Sequence, residues 1–187
     1  MEIIRETAFG LLEEKGYTGF SVNELAEVSG INISQIYRYF PNGKPDIFLS
    51  AGLDLFESGA PKLPELNPEQ PERFLISLIK FLIDTHREHR LTLQVMKIVF
   101  LSDPDALRRD KERFGSGLSE YKYFENLVEQ LGVDAPQMRR KVAQFVFHLV
   151  DSVIHRHILE VEVSKTDEEL AELLSDLIIT HIQSLSS

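Results

Sequence analysis

Residues 21–44 read SVNELAEVSGINISQIYRYFPNGK, and this stretch decides the fold. Ser21-Val22-Asn23-Glu24 is a capping box: the hydroxyl can accept from the backbone three residues on, and the glutamate can reach back. A short helix burying Val22, Leu25 and Ala26 follows and stops at Gly30. Asn32-Ile33-Ser34-Gln35 repeats the capping pattern and opens a second short helix, which closes at Phe40-Pro41-Asn42-Gly43. Two such helices around Gly30-Ile31 are the sequence form of a helix-turn-helix, although an ordinary pair of packed helices has the same spacing. Sidedness separates the two readings. At about 100° per residue, Ile36 and Phe40 point together into a core, while Ser34, Gln35 and Arg38 point the opposite way, flanked by Tyr37 and Tyr39. A face of small polar groups, an arginine and two tyrosines suits the phosphates and base edges of a DNA major groove.

Working outward, Ile4, Ala8, Leu11 and Leu12 form one helical stripe that ends at Lys15-Gly16, and a fourth helix begins near Lys44-Pro45-Asp46. Residues 57–71 hold four of the eight prolines and read as a connector. Longer helical patterns follow: Phe74 to Leu82, Leu93 to Phe100, a helix from Asp103-Pro104 interrupted at Gly115-Ser116-Gly117, and an apolar segment from Pro136 to about Val161. Thr166-Asp167-Glu168-Glu169 is a further capping box, opening a last helix with Leu170, Leu174, Ile178 and Ile182. The alternating pattern of a strand is missing throughout. The expectation is an all-α chain: a helix-turn-helix domain at 1–48, a linking helix at 44–58, the connector at 57–71 and a helical domain at 72–187.

Composition narrows the function. Thirty acidic against twenty basic side chains give a formal charge of −10, and 43 % hydrophobic residues suffice for a core. With no cysteine, disulfide scaffolds, thiolate zinc sites, iron–sulfur clusters and cysteine nucleophiles are excluded. No nucleophile elbow, phosphate loop, zinc-protease helix or dinucleotide fingerprint is present, so an enzyme is not expected. Neither a signal peptide nor a membrane-length apolar run is apparent, and the expected location is the cytoplasm.

In its ordered motifs the chain resembles, over residues 3 to 48, the DNA-binding domain of TetR-family transcriptional regulators. The resemblance rests on Ala8, Leu11-Leu12, Lys15-Gly16-Tyr17, Ser21-Val22, Leu25-Ala26, Ser29-Gly30-Ile31, Ile36-Tyr37-Arg38-Tyr39-Phe40 and Lys44 with Ile47. It implies that Ser21 contacts phosphate as well as capping its helix, that Gln35 reads a base, that Tyr37 and Tyr39 reach backbone or bases, and that Lys44 approaches a phosphate. Ser34 and Arg38 join them from the outward face. The sequence departs from the family at Asn32, Ile33 and Ser34, and residues 1–50 carry four basic against seven acidic side chains. Few phosphate-neutralising groups predict modest non-specific affinity and a shallow salt slope.

The resemblance further implies a homodimer whose last two helices pair with their copies. Segments 136–162 and 166–185 supply the apolar material, with Val146, Val150, Val153, Leu174 and Ile178 as the expected interface. Phe74, Phe81, Phe100, Tyr121, Phe124 and Phe147 are candidates to line a chamber for a small, largely apolar effector. His148, Asp151 and His155 share one helix face, and His86 and His89 lie on another helix. They have metal-ligand chemistry but read as solvated polar faces, so neither metal nor cofactor is expected. The expected function is a ligand-responsive DNA-binding regulator, most simply a repressor of a palindromic operator. A helical dimeric adaptor or sensor with weak or lost DNA binding is the alternative.

Overall fold

The computed structural model describes residues 1–59, 63, 64, 67, 69–103, 105, 106, 108 and 118–185, with the side chains of 53–59 and 118–121 outside the description. All regular elements among the described residues are helices: α1 (Glu2–Lys15), α2 (Val22–Ser29), α3 (Ile33–Tyr39), α4 (Lys44–Gly59), α5 (Pro71–Glu88), α6 (Arg90–Ser102), α7 (Leu118–Gln130), α8 (Pro136–Leu159) and α9 (Asp167–Leu185). The helix expected from Asp103-Pro104 falls largely outside the described residues, as does part of the connector at 57–71. No described helix is long and apolar enough to cross a membrane.

Packing divides the chain into two units. The first comprises Met1–Glu57 with the described part of Leu91–Gly115, and the second the described parts of Ser58–Arg90 and Ser116–Ser187. In the first, the stripe Ile4, Ala8, Leu11 and Leu12 closes over Leu25, Ile36, Phe40 and Ile47. Phe48 sits among rings: Phe9 meets it edge-on at 5.3 Å, with Tyr17 at 5.8 Å and Phe20 at 6.5 Å. Such aromatic clusters add geometric preference to the burial of area. Val95 and Val99 of α6 complete the same core, so α6 packs with the helix-turn-helix. α4 and α6 approach closely because Gly52 has no side chain; a Cβ there would run into Met96.

The second unit is built on Leu75, Leu78, Ile79 and Ile83 of α5, which pack with Leu127 and Val128 of α7, Val142, Val146, Val150 and Ile154 of α8, and Leu170, Leu174, Ile178 and Ile182 of α9. Polar contacts register these helices. Arg87 on α5 donates twice to Asp167 at 2.6 and 3.0 Å, and Lys80 donates to Glu168 at 2.6 Å. His157 Nδ1 accepts from the backbone of Val163 at 3.1 Å, which leaves Nε2–H to donate to Asp167 at 3.2 Å. The Tyr123 hydroxyl donates to the Pro64 carbonyl at 2.8 Å, and burial pushes its pKa up to about 12.

Candidate nucleic-acid interface

The local chemistry of residues 21–44 produces the expected helix-turn-helix. Ser21 holds an extended backbone, and its hydroxyl accepts from the Glu24 amide at 3.2 Å, the first half of the capping box. Glu24 turns its carboxylate outward to Lys15, 2.5 Å away, instead of back to the cap. Gly30 ends α2 at φ +69°, a left-handed conformation that side-chain-bearing residues adopt at a cost. The chain then restarts at Asn32, whose Oδ1 accepts from the Ser34 amide at 2.9 Å and its hydroxyl at 2.7 Å. The Ser34 side chain is therefore engaged in the cap at the N-terminus of α3.

α3 is sharply two-sided. Ile36 and the capping residue Phe40 are fully buried, whereas Ser34, Gln35, Tyr37, Arg38 and Tyr39 are exposed. Tyr37 and Tyr39 keep 44 % and 37 % of their surface exposed on this seven-residue helix. Arg38 donates to the Tyr39 hydroxyl at 3.3 Å, with its guanidinium 5.1 Å from that ring's centroid. This pairing presents the cation and a phenol together. Ser21 is also exposed, just before α2.

Lys44 is placed differently from a simple surface lysine. Its ammonium donates to the carbonyls of Tyr17 at 2.5 Å and Phe20 at 2.7 Å, and lies within 4.7 and 4.5 Å of the centroids of those two rings. Burial pushes its pKa below the usual lysine value. One of three donors remains for a phosphate. At the same turn, buried Asp46 accepts from the Asn42 amide at 3.0 Å and from its side-chain Nδ2, fixing the entry into α4. Neither anchoring role is legible in the helical periodicity. Of the four cations in residues 1–50, Arg5 donates to Ser50, Lys15 pairs with Glu24 and Lys44 holds the loop, while Arg38 points outward.

In the second unit the aromatic candidates scatter. Phe124 and Phe147 meet edge to face at 5.5 Å, and Phe74 joins the same core. Phe81 is half-buried, and the Tyr121 side chain lies outside the described residues. Phe100 packs against the core of the first unit. Val146, Val150, Leu174 and Ile178 are buried in the second unit's own core, with Val153 packed against it. α8 and α9 leave Phe145, Leu173 and Leu177 exposed, as well as Met138 and Leu185 near their ends, and a groove of about 380 Å³ is lined by Phe145, Val146, Leu149, Leu177, Ile178 and His181. Among the described residues, one group has the chemistry and spacing to hold a metal: His86, Asp151 and His155.

The chain is similar to known proteins. Residues 4–51 match the family model described as bacterial regulatory proteins, tetR family. No curated protein matches the chain in sequence. Among solved structures, the chain is similar to the TetR-family transcriptional repressor FadR of Thermus thermophilus, solved in complex with lauroyl-CoA (18 % identity, TM-score 0.70, covering 95 % of this chain and 92 % of that one). It is similar as well to the fatty acid degradation regulator FadR of Bacillus halodurans (16 % identity, TM-score 0.60, 95 % and 97 %). A third likeness is to the TetR-family regulator PfmR, also of Thermus thermophilus (20 % identity, TM-score 0.56, 96 % and 98 %). Residues 4–51 thus match the tetR family model of bacterial regulatory proteins, and the chain as a whole has the fold of TetR-like transcriptional regulators.

Proposed function

We propose that this protein is a ligand-responsive, sequence-specific transcriptional regulator of the cytoplasm, a homodimeric repressor released from a palindromic operator by a small, largely apolar molecule. The observation that carries the reading is the two-sided α3: Ile36 and Phe40 are buried while Ser34, Gln35, Tyr37, Arg38 and Tyr39 face outward. In this reading Gln35 pairs with a base edge, and Arg38, Tyr37, Tyr39, Ser21 and the remaining donor of Lys44 meet the DNA backbone. It acts by binding and is not an enzyme.

The dimer is proposed to form on the exposed apolar face of α8 and α9, around Phe145, Leu149, Leu173 and Leu177. Large apolar groups clustered on two neighbouring helices call for a cover, and a two-fold partner supplies the same patch. Release from DNA then requires an effector that binds the DNA-incompetent dimer better, and operator DNA must weaken effector binding by the same factor. The helix spanning 44–58 is the proposed lever, since it begins at Lys44 in the DNA-binding domain and runs to the boundary with the second unit.

Footprinting DNA upstream of the protein's own gene, at stated salt, tests the reading. A protected palindrome supports it, and lauroyl-CoA, with which the Thermus thermophilus repressor was solved, tests whether an apolar acyl chain on a charged carrier releases the protein instead of a small apolar molecule. The adaptor reading is kept by one observation: three of the four cations in residues 1–50 serve the domain itself. Protection of no site at low salt decides for it.

A further inference from the structure

Two helices of the second unit bring three metal-binding side chains against one another. His86 stands near the end of α5, and Asp151 and His155 lie one turn apart on α8. His86 Nε2 is 3.6 Å and His155 Nδ1 3.3 Å from the same carboxylate oxygen, Asp151 Oδ1. The two imidazoles meet edge to face with centroids 4.7 Å apart. One donor atom from each residue falls within 4.8 Å of the other two.

Hydrogen bonding leaves one nitrogen of the cluster unsatisfied. His86 Nδ1 faces the Leu82 carbonyl at 2.7 Å, and since a carbonyl only accepts, this nitrogen carries the proton and donates. In the neutral ring Nε2 then bears the lone pair. That nitrogen is shut off from solvent, has no hydrogen-bond partner, and looks toward a carboxylate oxygen. A lone pair facing an anion is repelled, and a buried polar atom without a partner is costly. A cation between them reverses the sign of the interaction.

The arrangement has the features of a metal site. Histidines that ligate metals usually donate their other ring N–H to a carbonyl or carboxylate, as His86 does to Leu82. Two ligands held at about 2.0–2.1 Å from a tetrahedral ion stand about 3.3–3.4 Å apart, and His86 Nε2 stands 3.6 Å from Asp151 Oδ1. His155 Nδ1 faces the backbone carbonyl of Asp151 at 3.1 Å and donates its proton there, as His86 Nδ1 does to Leu82, so the ligand lone pair of His155 is on Nε2. Two imidazoles and one carboxylate are borderline ligands that suit zinc, nickel or cobalt better than magnesium or calcium. His148, one turn away on α8, is exposed and turns its ring to Phe147, outside the cluster.

We propose that His86, Asp151 and His155 bind one divalent transition-metal ion, leaving its further coordination positions to water or to a donor atom of a bound molecule. The site is independent of the DNA-binding reading: it stands or fails with metal titrations that involve no DNA.

The test is calorimetric titration of Zn²⁺ into the full chain after treatment with a chelator. The expected result is one ion per chain at micromolar or tighter affinity, weakened at least tenfold by His86→Gln and by Asp151→Asn and unchanged by His89→Gln. Circular dichroism checks that each variant is folded. Visible absorption of the Co²⁺-loaded unmodified chain is the second measurement, and the strong bands of four- or five-coordinate cobalt are expected. Binding that ignores the His86 and Asp151 substitutions, no binding at all, or the weak spectrum of six-coordinate cobalt would overturn the proposal.

Discussion

The ammonium of Lys44 donates to the carbonyl of Phe20 at 2.7 Å, joining the first turn of α4 to the residue that precedes the cap of α2. With the second bond to Tyr17, one side chain closes the loop between α1 and α2 against the start of α4. The helix-turn-helix is therefore held from behind by a cation, while its outer face keeps Arg38.

Replacing Lys44 by Met keeps most of the apolar stem and removes the donors. Two carbonyls lose their partner, and the variant should unfold at lower urea, with a loss of about 1–3 kcal/mol. An unchanged urea midpoint with uniformly weaker DNA binding would make phosphate contact the whole role of this lysine.

Gln35 and Arg38 should separate in a binding assay. Gln35→Ala is expected to relax preference at one base pair by about 1–3 kcal/mol. Arg38→Ala should weaken binding on matched and mismatched sites alike and reduce the salt slope by about one. Equal losses from Gln35→Ala on both kinds of site would remove it from base reading.

Association should depend on the exposed face of α8 and α9. Light scattering of the unmodified chain should give about twice the 21.4 kDa of one chain, and Phe145→Asp or Leu177→Asp should shift it toward the monomer. Folding should survive, because both side chains are more than half exposed, at 55 % and 53 %. A dimer indifferent to both substitutions places the interface elsewhere.

Acid should weaken the second unit partly through Asp167. Arg87 donates to its carboxylate, which together with His157 holds its pKa below the usual aspartate value. A depressed folded pKa means that the unfolded chain binds the proton more readily. The stabilisation is fully present above the unfolded value of about 3.9 and is lost as pH falls through the folded one. Asp167→Asn should therefore lose less stability than the unmodified chain between about pH 5 and pH 2 in urea titrations. Parallel pH curves would assign the acid loss to other carboxylates.

Phe48→Ala should be the most damaging of these changes. It removes the ring on which Phe9, Tyr17 and Phe20 converge, at a cost of about 3–5 kcal/mol. Thermal unfolding followed by circular dichroism measures it, and a loss under about 1 kcal/mol would show that the core refills the cavity.

By itself the sequence determined the helices and their starts, because the forces that set them act within about four residues. Ser21 caps α2, Asn32 caps α3 and the Thr166 hydroxyl accepts from the Glu169 amide at the start of α9, each as the local pattern predicts. The two faces of α3 were equally legible, since Ile36 and Phe40 are four residues apart and share one side.

What covers a helix face was decided only in three dimensions. α8 is apolar on most sides, so its periodicity singles out no buried stripe; packing on α5, α7 and α9 gave Val146 and Val150 to the core and left Phe145 outside. α6 joined the core of the first unit, although it follows α5 directly in the chain. Lys44 found its carbonyls 24 and 27 residues away, and His86 met Asp151 from a different helix. Side-chain periodicity states which residues share a face, whereas the partner of that face depends on the lowest-energy packing of all helices together, and that is a property of the folded chain.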